Sequence, residues 1–214
     1  TSVDGKGSIS EYYEYALGTV GANGGSAEAN DFAKMADLII VLGCKLDNVT
    51  TFGRQLISPE AKVVQVDISE TVIENNQRVV LPIMTDINAF LTAVTTMDDS
   101  AVDYALKHKL WLEQAKAKKN EKWDRIAKES QREGKEVVVA RLIMALDKLA
   151  DENTIFTGDA GNPTPYIASY IRAKAAGKRT ILPRGHGALG YALPAAVGAQ
   201  IGAPKARVVA LFGD

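Results

Sequence analysis

The chain has 214 residues, 46% of them hydrophobic and 24% charged, which is enough apolar surface for one large core or two modest ones. Its 25 basic and 26 acidic residues leave a net charge of -1, so there is no electrostatic footprint for nucleic acid or an anionic membrane, and any anionic ligand must be held locally. One cysteine, Cys44, excludes an internal disulfide framework, and no apolar run approaches the roughly 20 residues of a membrane span, so a cytoplasmic location is expected.

Thr1-Ser2-Val3-Asp4 carries neither an initiator Met nor a signal-peptide pattern, and is expected to be an interior point of a longer protein. The first elements are short β-branched runs, Leu38-Ile39-Ile40-Val41-Leu42 and Val63-Val64-Gln65-Val66-Asp67-Ile68, with Val79-Val80-Leu81 a weaker third. Their continuous apolar character suggests strands covered on both faces. Helices are expected over 26–36 and 87–95, the second with Asp86 as its N-cap. This amounts to half of a doubly wound sheet, with the remaining strands supplied by preceding sequence or by a partner chain. Cys44, at a strand end with no histidine near it, reads as a small buried hydrophobe.

From 98 to 132 the composition turns to Lys, Glu and Gln. Leu112, Ala115, Trp123 and Ile126 fall on one stripe, continued through Lys119, whose stem can cover apolar surface. The stretch reads as an amphipathic connecting helix. Its basic residues fit an anion-binding face or a solvated one, and the interspersed Glu113, Glu121 and Glu129 favour the solvated face.

Beyond Gly134, Val138, Leu142, Ala145, Leu146 and Leu149 repeat with helical period. Thr154-Ile155-Phe156-Thr157 then forms a strand leading into Gly158-Asp159-Ala160-Gly161-Asn162-Pro163-Thr164-Pro165, a turn-rich segment that opens another helix. Thr180-Ile181-Leu182 leads in the same way into the loop Gly185-His186-Gly187-Ala188-Leu189-Gly190, and Pro194 suits the first turn of the helix that follows. The glycines permit positive φ and let main-chain groups approach a flat or charged ligand. Finally Val208-Val209-Ala210-Leu211-Phe212 delivers Gly213-Asp214, a carboxylate at the C-terminal edge of a strand, where open α/β sheets bind ligands. All three loops should fall on one edge of a parallel sheet. His186 within the loop and His108 are the only imidazoles, and a structural or solvent-edge role is favoured for His186.

The succession of the 158–164 loop, the 185–194 loop and Gly213-Asp214 resembles the diphosphate-binding domain of thiamine-diphosphate enzymes in the acetolactate synthase and benzoylformate decarboxylase superfamily. The resemblance implies α/β architecture: two doubly wound, mainly parallel-sheet units joined by a charged helical linker, both incomplete. Residues 1–97 would be the second half of the central domain, 98–134 the linker and 135–214 the first part of the cofactor-binding domain. It implies thiamine diphosphate and Mg²⁺ as cofactors. Asp214 would be the first metal ligand, a role that suits the preference of Mg²⁺ for a few oxygen ligands completed by phosphate. Leu189 would be the large apolar residue beneath the bent cofactor, the Gly187 carbonyl would meet its aminopyrimidine, and Gly161, Asn162, Thr164 and Gly213 would line it. Leu189 as plain core and Asn162 as an ordinary turn residue remain open.

Leu17 to Gly25, Ala36 to Gly43 and Val66-Asp67-Ile68 are similar to the family's central domain, which holds a flavin in acetolactate synthases. Ala22 and Asn23 replace bulkier residues, and Lys45 stands where an Arg is usual, losing planar bidentate donors. These departures count against FAD. No residue here takes a catalytic role by resemblance, since the Glu that activates the cofactor belongs to a domain not represented, and the chain alone is expected to be inactive. The implied parent enzyme acts on a 2-keto acid as a homodimer or homotetramer, by decarboxylation with carboligation or by decarboxylation alone. Two rivals stay open. One is a dinucleotide-binding module, because Gly185, Gly187 and Gly190 have G-x-G-x-x-G spacing with Asp214 as the following acid; the other is a structural or regulatory fragment completed by a partner.

Overall fold

The structure, a computed structural model, describes residues 1–97, 103–134 and 136–213. Asp214 lies outside the described residues. The first unit opens with α1 (Ala27–Lys34) and a three-stranded parallel sheet, β1 (Leu38–Leu42), β2 (Lys62–Asp67) and β3 (Leu81–Met84), in the order β1-β2-β3. Then come α2 (Ile87–Thr95), the single turn α3 (Tyr104–Lys107) and the long α4 (Lys109–Ser130). The second unit comprises α5 (Val139–Leu149), β4 (Ile155–Gly158), α6 (Pro163–Tyr170), β5 (Thr180–Ile181), α7 (Ala192–Gly202) and β6 (Val208–Leu211), its parallel sheet ordered β5-β4-β6. Both sheets are open, as a pair of incomplete doubly wound units requires.

Local chemistry sets most of these boundaries. Ser26 caps α1 by accepting from the Ala29 N–H at 3.1 Å, and Asp86 caps α2 by accepting from Asn88 and Ala89 at 2.8 and 3.2 Å. The third strand begins two residues later than the apolar run suggests, because Val79 turns inward to the core while Leu81–Met84 pair with β2. Pro82 is tolerated because β3 is an edge strand that needs no donor on its outer side.

Each unit has its own core. Val41, Leu46, Leu56, Ile57, Val63 and Val79 pack beneath the first sheet, and Ile143, Phe156, Ile167 and Ile171 beneath the second. Complete burial of residues such as Val66 and Ile167 stabilises by roughly 1.5–3 kcal/mol each. On α5 the inward face is Ala140, Ile143 and Asp147, whereas Leu142 and Leu149 point to solvent. That differs from the face read from the sequence. The cause is Asp147, drawn inside by an ion pair with Arg172 whose Nε and Nη2 donate at 2.8 and 2.5 Å.

The connecting helix also departs from expectation. Ala115 and Ile126 are buried and Leu112 and Trp123 half-buried, but one row of basic residues is docked on the rest of the fold, while Lys109 and Lys128 are exposed. At a spacing of three along α4, Lys116 pairs with Glu14 at 2.7 Å, and Lys119 donates to the Glu11 and Tyr13 carbonyls at 2.8 and 2.7 Å. Lys122 reaches the Leu17 carbonyl at 3.5 Å, and Arg125 grips Glu28 with two bonds of 2.7 and 3.1 Å. Lys122 is only 1% exposed and shares its site with the Lys6–Glu11 pair at 2.5 Å. Arg172, stacked 5.0 Å from the Tyr12 ring and 4.9 Å from the Trp123 ring, ties the segment after α6 to both the N-terminal segment and α4.

Candidate functional site

The parallel order β5-β4-β6 brings the ends of three strands to one edge. Gly158-Asp159 follows β4, the glycine loop follows β5, and Phe212-Gly213 follows β6. Their assembly depends on Asp159, which is 4% exposed. Its carboxylate accepts from the Gly190 N–H at 3.1 Å and the Ala192 N–H at 2.6 Å, and its own N–H donates to the Leu211 carbonyl at 3.1 Å. Through side chain and main chain together, this one residue ties the β4 loop to the glycine loop and to the end of β6. The Thr157 hydroxyl adds a bond of 2.9 Å to the Ala192 carbonyl. Sequence reasoning passed over Asp159, although Gly158-Asp159 repeats after β4 the strand-Gly-Asp pattern of Gly213-Asp214 after β6.

Among the expected site residues, Gly161, Asn162, Gly187, Leu189 and Gly213 are exposed along this edge. Gly187 and Gly190 have φ of +61° and +73°, so the loop bends in a way that side-chain-bearing residues resist. A Cβ placed at Gly161, Gly187 or Gly213 would meet nothing within 4 Å, so the main chain faces open space. Leu189, 79% exposed, stands out from the loop and is not core. Thr164, in the same segment, is buried, and its hydroxyl donates to the Asp159 carbonyl at 2.7 Å, shaping the loop from inside. His186 is exposed in the loop, and Cys44 is half-buried and free.

These residues fit a diphosphate-bearing group. The N–H groups of Gly161 and Asn162 and of Gly185 through Leu189 have no acceptor among the described residues, and such rows of main-chain donors are what an anionic group requires. No set of three or more His, Cys, Asp and Glu among the described residues is placed to hold a metal ion. The metal assignment rested on Asp214, which lies outside them. No described helix is long and apolar enough to cross a membrane.

Residues 46–54 follow β1, and the Ala22 N–H donates to the Val49 carbonyl at 2.7 Å. Ser169 on α6 donates to the Gly24 carbonyl at 2.7 Å and Thr19 to the Ala168 carbonyl at 3.1 Å. The 19–25 segment is therefore wedged between the loop after β1 and α6. Burial pulls the Asp47 carboxyl upward. Hydrogen bonds from Thr50, with the positive charges of Arg184 and Lys45 acting through space, outweigh that effect and hold it below the usual carboxylate range. A separate cavity of about 320 Å³, lined in part by Glu11, Tyr13, Tyr15 and Phe32, contains no residue of the glycine loop.

Comparison with known proteins gives two family matches: residues 1–94 to "Thiamine pyrophosphate enzyme, central domain" and residues 159–214 to "Thiamine pyrophosphate enzyme, C-terminal TPP binding domain". The whole chain is 28% identical to a probable acetolactate synthase large subunit of Methanococcus aeolicus, covering 37% of that protein. It is 29% identical to the acetolactate synthase large subunit of Pyropia yezoensis, covering 35%, and 27% identical to the acetolactate synthase isozyme 2 large subunit of Escherichia coli K12, covering 36%. The chain therefore spans about a third of the length of these relatives.

Proposed function

From a chain that belongs to the thiamine pyrophosphate enzymes, we propose that this segment binds the diphosphate end of thiamine diphosphate for an Mg²⁺-dependent enzyme that decarboxylates a 2-keto acid and joins the fragment to a second carbonyl. The observation that carries the reading is the convergence of the three loops, with their row of free main-chain donors, inside the stretch matched to the TPP binding domain. Gly161, Asn162 and the 185–189 main chain hold the diphosphate, Leu189 supports the cofactor from below, Gly187 offers its carbonyl, Gly213 leaves room beside it, and Asp214 ligates the metal. When bound, thiamine diphosphate supplies the nucleophile and the electron sink for the chemistry.

The protein groups bind and orient. Asp159 fixes the glycine loop against the β4 loop before any ligand arrives, so little ordering entropy remains to be lost on binding. The similarity to acetolactate synthase large subunits favours carboligation over simple decarboxylation. The working enzyme is a homodimer or homotetramer in the cytoplasm, with the central-domain segment 1–97 serving as scaffold. Titration calorimetry on the full-length protein tests the reading. Thiamine diphosphate is expected to bind in an Mg²⁺-dependent manner while NAD and FAD do not; binding of NAD in its place would refute it.

A further inference from the structure

Of the asparagines in the chain, Asn23 alone is followed by a glycine. It is exposed in the turn that leads to α1, and the Gly24 N–H has no acceptor among the described residues. An asparagine so placed has an internal nucleophile, the main-chain nitrogen of the next residue, which closes a five-membered ring on the side-chain amide carbon. A side chain on that next residue crowds the approach and narrows the dihedrals that reach it; glycine does neither.

The fold requires the glycine. Gly24 has a φ of +117°, and a Cβ there would lie 2.6 Å from the Ala168 Cβ on α6 and 3.0 Å from the Val3 Cγ2, so both the dihedral and the close approach of α6 exclude a side chain. The Gly24 carbonyl accepts from the Ser169 hydroxyl at 2.7 Å and from that of Thr19. On the other side of Asn23, the Ala22 N–H donates to the Val49 carbonyl at 2.7 Å. Asn23 thus stands between two anchored residues, the second of which packing fixes as glycine. Asn48 is the natural contrast: it too is exposed, and the Val49 N–H has no acceptor among the described residues, but Val49 is branched at Cβ. In the comparable pair Asp4-Gly5, the Gly5 N–H is engaged by the Ser2 hydroxyl at 3.0 Å.

We propose that Asn23 is a site of spontaneous deamidation through a cyclic imide, and that the isoaspartyl product loosens the junction between the two units. The Gly24 nitrogen loses its proton and bonds to the Asn23 side-chain carbon. The bond from that carbon to the amide nitrogen breaks, and the nitrogen leaves with the proton as ammonia. Water then adds to either carbonyl of the ring. One opening leaves an aspartyl residue; the other leaves an isoaspartyl residue, whose main chain runs through the former side chain and is one carbon longer. Nothing is oxidised or reduced, and water is the co-reactant. The added carbon falls between the anchors at Ala22 and Gly24, and is accommodated by releasing one of them.

The test incubates folded full-length protein in mildly alkaline heavy-oxygen water, digests it in ordinary water and follows the peptides by mass spectrometry. The peptide containing Asn23 is expected to take up heavy oxygen at least tenfold faster than that containing Asn48, and to resolve into aspartyl and isoaspartyl forms with the isoaspartyl form in excess. The corresponding peptide of Asn23→Gln should take up none. An Asn23 rate no greater than that of Asn48 overturns the proposal. So does a product that is aspartyl alone, which marks direct hydrolysis without a ring, or uptake seen only in urea-unfolded protein, which would show that the fold keeps the amide carbon from the Gly24 nitrogen. The isoaspartyl form, separated by chromatography, should unfold at lower urea than the parent protein, whereas Asn23→Asp, with the charge but not the added carbon, should stay close to the parent. Equal midpoints for the isoaspartyl form and the parent, or an equally large loss in Asn23→Asp, overturn the loosening of the junction.

Discussion

At the scale of single residues, Lys122 and Asp159 carry more than their exposure in the sequence suggests. Burial pushes the Lys122 ammonium down from 10.5 to about 8, with Glu11 only partly opposing it. The folded protein therefore disfavours charged Lys122. That cost is in full force below pH 8 and fades as pH rises toward 10.5, where the unfolded chain also loses the proton, so the Lys122 contribution to stability rises with pH across that window. Urea denaturation at pH 7.5 and 9.5 should show wild type gaining roughly 2 kcal/mol relative to Lys122→Met; an equal pH response of the two proteins would exclude the effect. Asp159→Ala strands the Gly190 and Ala192 N–H groups and should cost about 2 kcal/mol. In the full-length protein it should also weaken thiamine diphosphate binding by tenfold or more, measured by calorimetry. Asp159 was legible in principle from its strand-Gly-Asp setting. Lys122 was not, because its burial depends on Lys6 and Glu11, more than 100 positions away, which no helical periodicity reports.

At the scale of elements, Gly187→Ala examines the loop between β5 and α7. A methyl group there meets no atom of the chain, so the expected stability loss is only the positive-φ penalty of about 1 kcal/mol. A fall in cofactor affinity well beyond that of stability would show that the open space belongs to the ligand. The strands β1, β2 and β6 and the helices α1 and α2 were readable because their apolar runs and caps are local properties. The inward face of α5 was not, since it is chosen by the pairing of Asp147 with Arg172, 25 positions later. Nor was the docking of α4, where charge pattern alone does not distinguish a solvated Lys from one that donates to a distant carbonyl. Arg172→Ala removes the partner of buried Asp147 together with two ring contacts, and should lower stability by roughly 3 kcal/mol in denaturant titrations.

At the scale of the molecule, two small open sheets are held together by α4 and by the wedge of residues 19–25, so the chain should unfold in one transition, followed by tryptophan fluorescence and circular dichroism in the same denaturant series. Residues 1–214 alone are expected to form neither acetolactate nor aldehyde from pyruvate in a turnover assay, because the chain spans about a third of its relatives. The cations anchored at successive turns of α4 bear on how the segment moves. A helix fastened along its length to residues between 11 and 28 does not bend like a hinge against them, so helix and N-terminal segment travel as one lever, and flexing of the chain is displaced to the lever's two ends.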